Sequence, residues 1–155
     1  MVFFSGYSKQ ESTIFIARNN GFVGSGAPAH IFVDYEYMGK LKKKNYIEYK
    51  ISKNTLNIAV VSNLGSKKAI SINLDPLQPK YINVNLSKTY FLEDATGDES
   101  LKFDVIEKVE SKDKLIVSSA EKKNYLEKYK SKLDEVYAEI GNSMIAESTP
   151  LPSKT

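Results

Sequence analysis

From Ser12 to Leu86 the apolar residues fall at every second position in short runs, and Gly, Pro, Asn and Asp break the runs. That rhythm predicts half-buried β-strands joined by tight turns. The first strand is Ser12–Arg18. In His30–Tyr37, Ile31, Val33, Tyr35 and Tyr37 share one face and His30, Phe32, Asp34 and Glu36 the other, after which Met38-Gly39-Lys40 bends the chain. Asn45–Ile51 turns Ile47, Tyr49 and Ile51 to one side, Ala69–Leu74 does so with Ile70, Ile72 and Leu74, and Lys80–Leu86 with Ile82, Val84 and Leu86. Thr55–Ser62 is apolar on both faces, as a central strand would be. Thr89–Leu92 reads as a short strand, Glu93–Ser100 as a polar loop and Leu101–Val109 as the last long strand. The pattern predicts a mainly β fold, an antiparallel β-sandwich of about seven strands. Its inward positions would be Ile14, Ile16, Ile31, Val33, Ile47, Tyr49, Ile58, Val60, Ile70, Ile72, Ile82, Val84 and Val105. Gly39 is expected at positive φ, where the bend after Asp34-Tyr35 needs it.

The period changes near the C-terminus. Ser118 and Glu121 fit a capping box, and Glu, Lys, Leu and Ala dominate from there to Ile140, with Gly141-Asn142 as the stop. This predicts one long C-terminal helix of roughly 22 residues, about 33 Å at 1.5 Å per residue. Leu126, Tyr129, Leu133, Val136 and Ile140 are spaced by three and four along it, the rhythm of a helix-pairing seam. A stripe that narrow can lie across a sheet face or pair with a second helix, in a homo-oligomer or a protein partner, so these five are the candidate partner contact. The organisation expected is a sandwich over 12–110, a helix over 118–141, and flexible ends at 1–11 and 147–155.

Composition narrows the function classes. Lys and Arg number 22 against 19 acids, a net charge of +3 with both signs interspersed, so the overall charge argues for neither a nucleic-acid binder nor a membrane-surface binder. The chain has no cysteine, so disulfides, thiol nucleophiles and Cys-ligated zinc are all absent. No apolar run approaches the roughly 18–20 residues of a membrane-spanning helix. Met1-Val2-Phe3-Phe4 is too short to act as a signal peptide.

Candidate chemistry is sparse. Gly21-Phe22-Val23-Gly24-Ser25-Gly26 lacks the Gly-Lys-Ser/Thr and helix start of a phosphate loop. His30 is the only histidine and reads as structural, since zinc needs three or four ligands. Asp94, Asp98, Glu99 and Asp104 do not have the spacing of a calcium loop, and read as a solvated acidic turn. Asn85-Leu86-Ser87 matches a glycosylation acceptor, a pattern short enough to recur by chance. No paired-carboxylate motif is present. No metal and no cofactor is expected. Lys40, Lys42, Lys43 and Lys44 form a basic knot that is the candidate contact for a lipid headgroup or another anion, against the plainer reading of lysines guarding a strand edge.

Several of these segments together resemble a bacterial family, the domain-of-unknown-function 2846 group, related to PEGA-type sandwiches. They are Ile14-Phe15-Ile16-Ala17-Arg18, Phe22-Val23-Gly24-Ser25, Ile31-Phe32-Val33-Asp34, Met38-Gly39-Lys40-Leu41, Asn45-Tyr46-Ile47-Glu48-Tyr49 and Leu56-Asn57-Ile58-Ala59-Val60. The resemblance runs from Ser12 to about Val109. It departs where Lys53-Asn54 replaces the Pro-Gly common in that family, and no lipobox cysteine is present. It implies a β-sandwich of the bacterial cell envelope, on the periplasmic face or the surface, lipid-anchored through an N-terminal cysteine in its native form. It implies no catalytic residue. The expectation is a non-enzymatic binding or structural protein; the alternatives are a small enzyme with a spatially assembled site and a cytoplasmic adaptor that works through the C-terminal helix.

Overall fold

The computed structural model describes residues 10–18, 29–42, 44–62, 67–86 and 90–148. Lys43, the glycine loop over 21–26, Ser87 and both expected flexible ends, apart from Gln10, Glu11, Glu147 and Ser148, lie outside them. The strands are β1 (Ser12–Arg18), β2 (Ala29–Val33), β3 (Glu36–Leu41), β4 (Asn45–Ile51), β5 (Thr55–Val61), β6 (Lys67–Asn73), β7 (Lys80–Leu86), β8 (Tyr90–Asp94) and β9 (Asp113–Lys114); the helices are α1 (Glu99–Ser111) and α2 (Ser119–Ser148). One sheet has the order β8-β7-β1-β4-β9 and the other β3-β2-β5-β6. Pairing is antiparallel except for β1 with β7 and β4 with β9.

The core between the sheets holds the alternating positions: Ile14 and Ile16 of β1, Ile31 and Val33 of β2, Ile47 of β4, Ile58 and Val60 of β5, Ile72 of β6, and Ile82 and Val84 of β7. Tyr49 and Ile70 pack at its margin. Ile58 is completely buried. Ile58→Val should therefore cost about 0.5–1.5 kcal/mol, read as a lowered urea midpoint with unchanged slope; an unchanged midpoint would place Ile58 outside the packed layer.

Each sheet also has a covered outer face. Helix α2 lies on the outside of the four-stranded sheet, where Tyr129, Leu133 and Val136 pack with Phe32, Tyr37, Ala59 and Val61. Helix α1 packs on β1, β7 and β4. Its Val105 and Lys108 face Ala17 and Asn83, which alternate with the core residues of β1 and β7. The order of layers is thus helix, sheet, sheet, helix. β6 is an edge strand, pairing among the described residues with β5 alone. Lys68 stands there at the core-facing parity of Ile70 and Ile72, a charge that discourages edge-to-edge association.

Several expectations need correction. Leu101–Val109 is not a strand but most of α1. Leu101, Phe103 and Val105 alternate by chance: Val105 is buried, whereas Phe103 is 62% exposed. Asp98 decides the matter locally, because its Oδ1 accepts from the backbone N–H groups of Ser100 and Leu101, both at 3.1 Å, and starts a helix. The described residues therefore form two helices where one was expected. His30–Tyr37 is not one strand but a hairpin, β2 and β3, turning at Asp34-Tyr35. Asp34 adopts φ 53°, the left-handed region that Asp tolerates. Its backbone N–H donates to Asn57 O at 2.7 Å, and its Oδ1 accepts from Asn57 N–H at 3.3 Å. Tyr37 consequently faces α2, not the inter-sheet core. Gly39 does have positive φ, at 120°, yet it lies within β3, where the β2–β3 register shifts, and not in a turn. The polar loop expected from Glu93 begins later, since Glu93 and Asp94 belong to β8. Finally, Gly141 does not stop α2. It is not among the residues at positive φ, and a glycine that keeps helical angles lets the helix run on, here to Ser148.

Candidate functional site

At one end of the sandwich, three of the four knot lysines come together around a cleft. Its walls are Gly39, Lys40, Lys42, Lys44 and Asn45 from the end of β3 and the turn into β4. Leu115, Ile116, Val117 and Glu121 complete it from the segment that leads into α2 and from that helix's first turn. The cleft has a volume of about 180 Å³.

Local chemistry fixes this geometry. The turn closes on itself: Lys42 N–H donates to Asn45 Oδ1 at 3.0 Å, and Asn45 N–H donates to Lys42 O at 3.2 Å. Asp113 N–H donates to Lys44 O at 3.2 Å and Leu115 N–H to Tyr46 O at 2.8 Å, so the segment before α2 is tied to β4. Leu115 and Val117 then fold onto β3 where Gly39 has no side chain; a Cβ there would stand 2.6 Å from Leu115 Cδ2. Between these two inward side chains Ile116 turns the other way and is 82% exposed.

The helix start is capped as the capping box predicts. Glu121 N–H donates to Ser118 Oγ at 3.2 Å, and the Glu121 carboxylate accepts from Ser118 N–H at 3.4 Å. That carboxylate is therefore turned to the cap, where it offsets the partial positive charge of the α2 N-terminus that stands beside the lysines. Lys40 Nζ lies 5.6 Å from the centre of the Tyr125 ring. Among the described residues, Lys40, Lys42 and Lys44 enter no ion pair, whereas Lys53, Lys67, Lys114 and Lys122 each have a carboxylate partner.

The second set of candidate residues, the stripe on α2, is divided by the structure. Tyr129, Leu133 and Val136 are buried beneath the helix, and Leu126 and Ile140 are half-buried at its flanks. The stripe faces its own sheet. Around it stand polar anchors that spacing could not reveal: Lys122 Nζ meets Glu36 Oε2 at 2.5 Å, and Tyr35 OH donates to Asp134 Oδ1 at 2.7 Å. The Tyr137 hydroxyl donates to the Asp34 carbonyl. His30 is buried, with Nδ1 2.9 Å from Tyr37 OH and its ring against Tyr125 and Tyr129 of α2. The acids read as a turn are separate local devices, Asp98 capping α1 and Asp94 Oδ1 accepting from Thr96 N–H at 3.0 Å. Among the described residues, no three of His, Cys, Asp and Glu are grouped to hold a metal ion, and no helix is long and apolar enough to cross a membrane.

The perturbed groups are tyrosines. Burial pushes the Tyr49 phenol up to about 12, helped by the Glu36 carboxylate. Burial also raises Tyr37, with Tyr125 and Glu121 adding, and it raises Tyr137, with Asp34 adding. Tyr35 is raised by its hydrogen bond to Asp134, and the same bond lowers Asp134. The folded state thus holds these phenols neutral. The stability this contributes is full below the unfolded value near 10 and is lost as pH rises towards the folded values. An absorbance titration of tyrosinate should show a late fraction ionising only above pH ~11, together with falling stability. A single transition near pH 10 with the protein still folded would contradict this.

Comparison with protein-family models, curated proteins and solved structures finds no match for this chain. The reading of function therefore rests on the residues, their arrangement and the resemblance that the sequence itself carries.

Proposed function

We propose that this chain is a non-enzymatic binding protein of a bacterial cell envelope, and that it meets an anionic ligand at the lysine-lined cleft. The observation that carries the binding half is the convergence of Lys40, Lys42 and Lys44 with the N-terminus of α2, on a surface where these lysines have no carboxylate partner among the described residues. Lysines paired with carboxylates are neutralised, whereas lysines left together without such partners attract anions. The envelope half rests on the resemblance of Ser12 to Val109 to the domain-of-unknown-function 2846 group, whose implied sandwich agrees with the two packed sheets.

The test is calorimetric titration with inorganic polyphosphate at low and at physiological ionic strength, on the native chain and on Lys40→Glu/Lys42→Glu/Lys44→Glu. The expected result is salt-sensitive binding that the triple variant loses while its melt is unchanged. Equal binding by both proteins, or none by the native chain at low salt, overturns the reading.

A further inference from the structure

We infer that the anion met by this cleft is the surface of a phospholipid bilayer, with headgroup phosphates between Lys40, Lys42 and Lys44 and with Ile116 entering the acyl boundary. This deepens the anion-binding reading above and rests on it. The lysines alone would suit any phosphate. Ile116 separates the sources: it is a large aliphatic side chain, 82% exposed, on the rim of the same cleft. A soluble phosphate makes no use of such a group, whereas an interfacial site combines basic side chains with an apolar one that descends below them.

The exposure of Ile116 follows from the construction of the segment. Leu115 and Val117 are drawn onto β3 at Gly39, and Leu115 N–H is held by Tyr46 O, so alternation forces Ile116 outward. Lys112 and Lys114 flank the same end, where Asn45 pairs with Asp113 and Tyr46 with Lys114. They add less to the field, since Asp113 stands between them and Lys114 meets Glu48 at 3.5 Å.

Vesicle co-sedimentation tests this on the full chain. One set of vesicles is phosphatidylcholine alone; the other is three parts phosphatidylcholine to one part phosphatidylglycerol. The native chain should bind the anionic set and not the neutral one. The triple lysine-to-glutamate variant should bind more weakly by on the order of a hundredfold, about fivefold per lysine. Ile116→Ser should bind the anionic vesicles several-fold more weakly while titrating polyphosphate like the native chain. Ile116→Ser with native vesicle affinity overturns the insertion. Polyphosphate binding without vesicle binding overturns the bilayer and leaves the anion-binding reading standing. Loss of both ligands in the native chain overturns both readings. Ile116 carries no core packing, so its variant is expected to melt like the native chain, which keeps the comparison clean.

Discussion

Leu133→Asp should abolish cooperative folding of the whole chain. Leu133 is completely buried at the centre of the second core, among Phe32, Tyr37, Ala59, Val61, Tyr129 and Val136. Removing the leucine costs about 2–5 kcal/mol in lost burial and cavity. An unpaired carboxylate in the same place adds several kcal/mol more, whether it stays charged or takes up a proton. The sum approaches the total stability of about 5–15 kcal/mol that a domain possesses. Apart from Val117, no described residue outside α2 and the sheet packs on that face, so a detached α2 would bare much of Phe32 and Tyr37 to water. The measurement is a urea melt followed by far-ultraviolet circular dichroism, with sedimentation of the native chain beside it. The expected result is a native chain that is monomeric and a variant with no cooperative transition. A variant that melts like the native chain but loses an oligomer would make the stripe an interface between molecules, as its heptad-like spacing alone allowed.

Gly39→Val should be nearly as damaging, for a different reason. At φ 120° a β-branched residue is strained wherever it sits. Here the added Cβ would also stand 2.6 Å from Leu115 Cδ2 and 2.9 Å from both Leu115 Cγ and Val117 Cγ2. Strain and overpacking each cost about 1–3 kcal/mol, so a loss of about 2–6 kcal/mol is expected. Relief of the clash would push the 115–117 segment off β3 and disturb the lysine cleft, so polyphosphate affinity should fall together with stability. Gly39→Ala should keep part of both effects. A valine variant with native stability and native affinity would mean that the segment does not rest on Gly39.

Features that depend on neighbours along the chain are legible in the residues alone. Period-two runs identified the inward faces of β1, β4, β5, β6 and β7, because a pleated strand must alternate if one side is dry. Ser118 and Glu121 announced the start of α2, because a capping box is closed within four residues. The two apolar faces of Thr55–Ser62 pointed to a strand covered on both sides, and Ile58 and Ala59 do enter different cores. The lysine knot was legible as a run of charge.

Tertiary structure decided the rest, since it depends on what lies opposite. His30 and Phe32 share the face of their strand opposite Ile31 and Val33; α2 covers that face, and no local signal says that a helix a hundred residues away will do so. The alternation of Leu101, Phe103 and Val105 fits a strand as well as a helix until Asp98 caps the first turn and one side of the segment finds the outer face of β1 and β7. The turn at Asp34 is held by Asn57 and Tyr137, both remote in sequence. The candidate site has the same origin. Its lysines are local, but Leu115, Ile116, Val117 and the start of α2 reach them only because β9 pairs with β4, and it is that pairing which turns a run of positive charge into a cleft with an apolar rim.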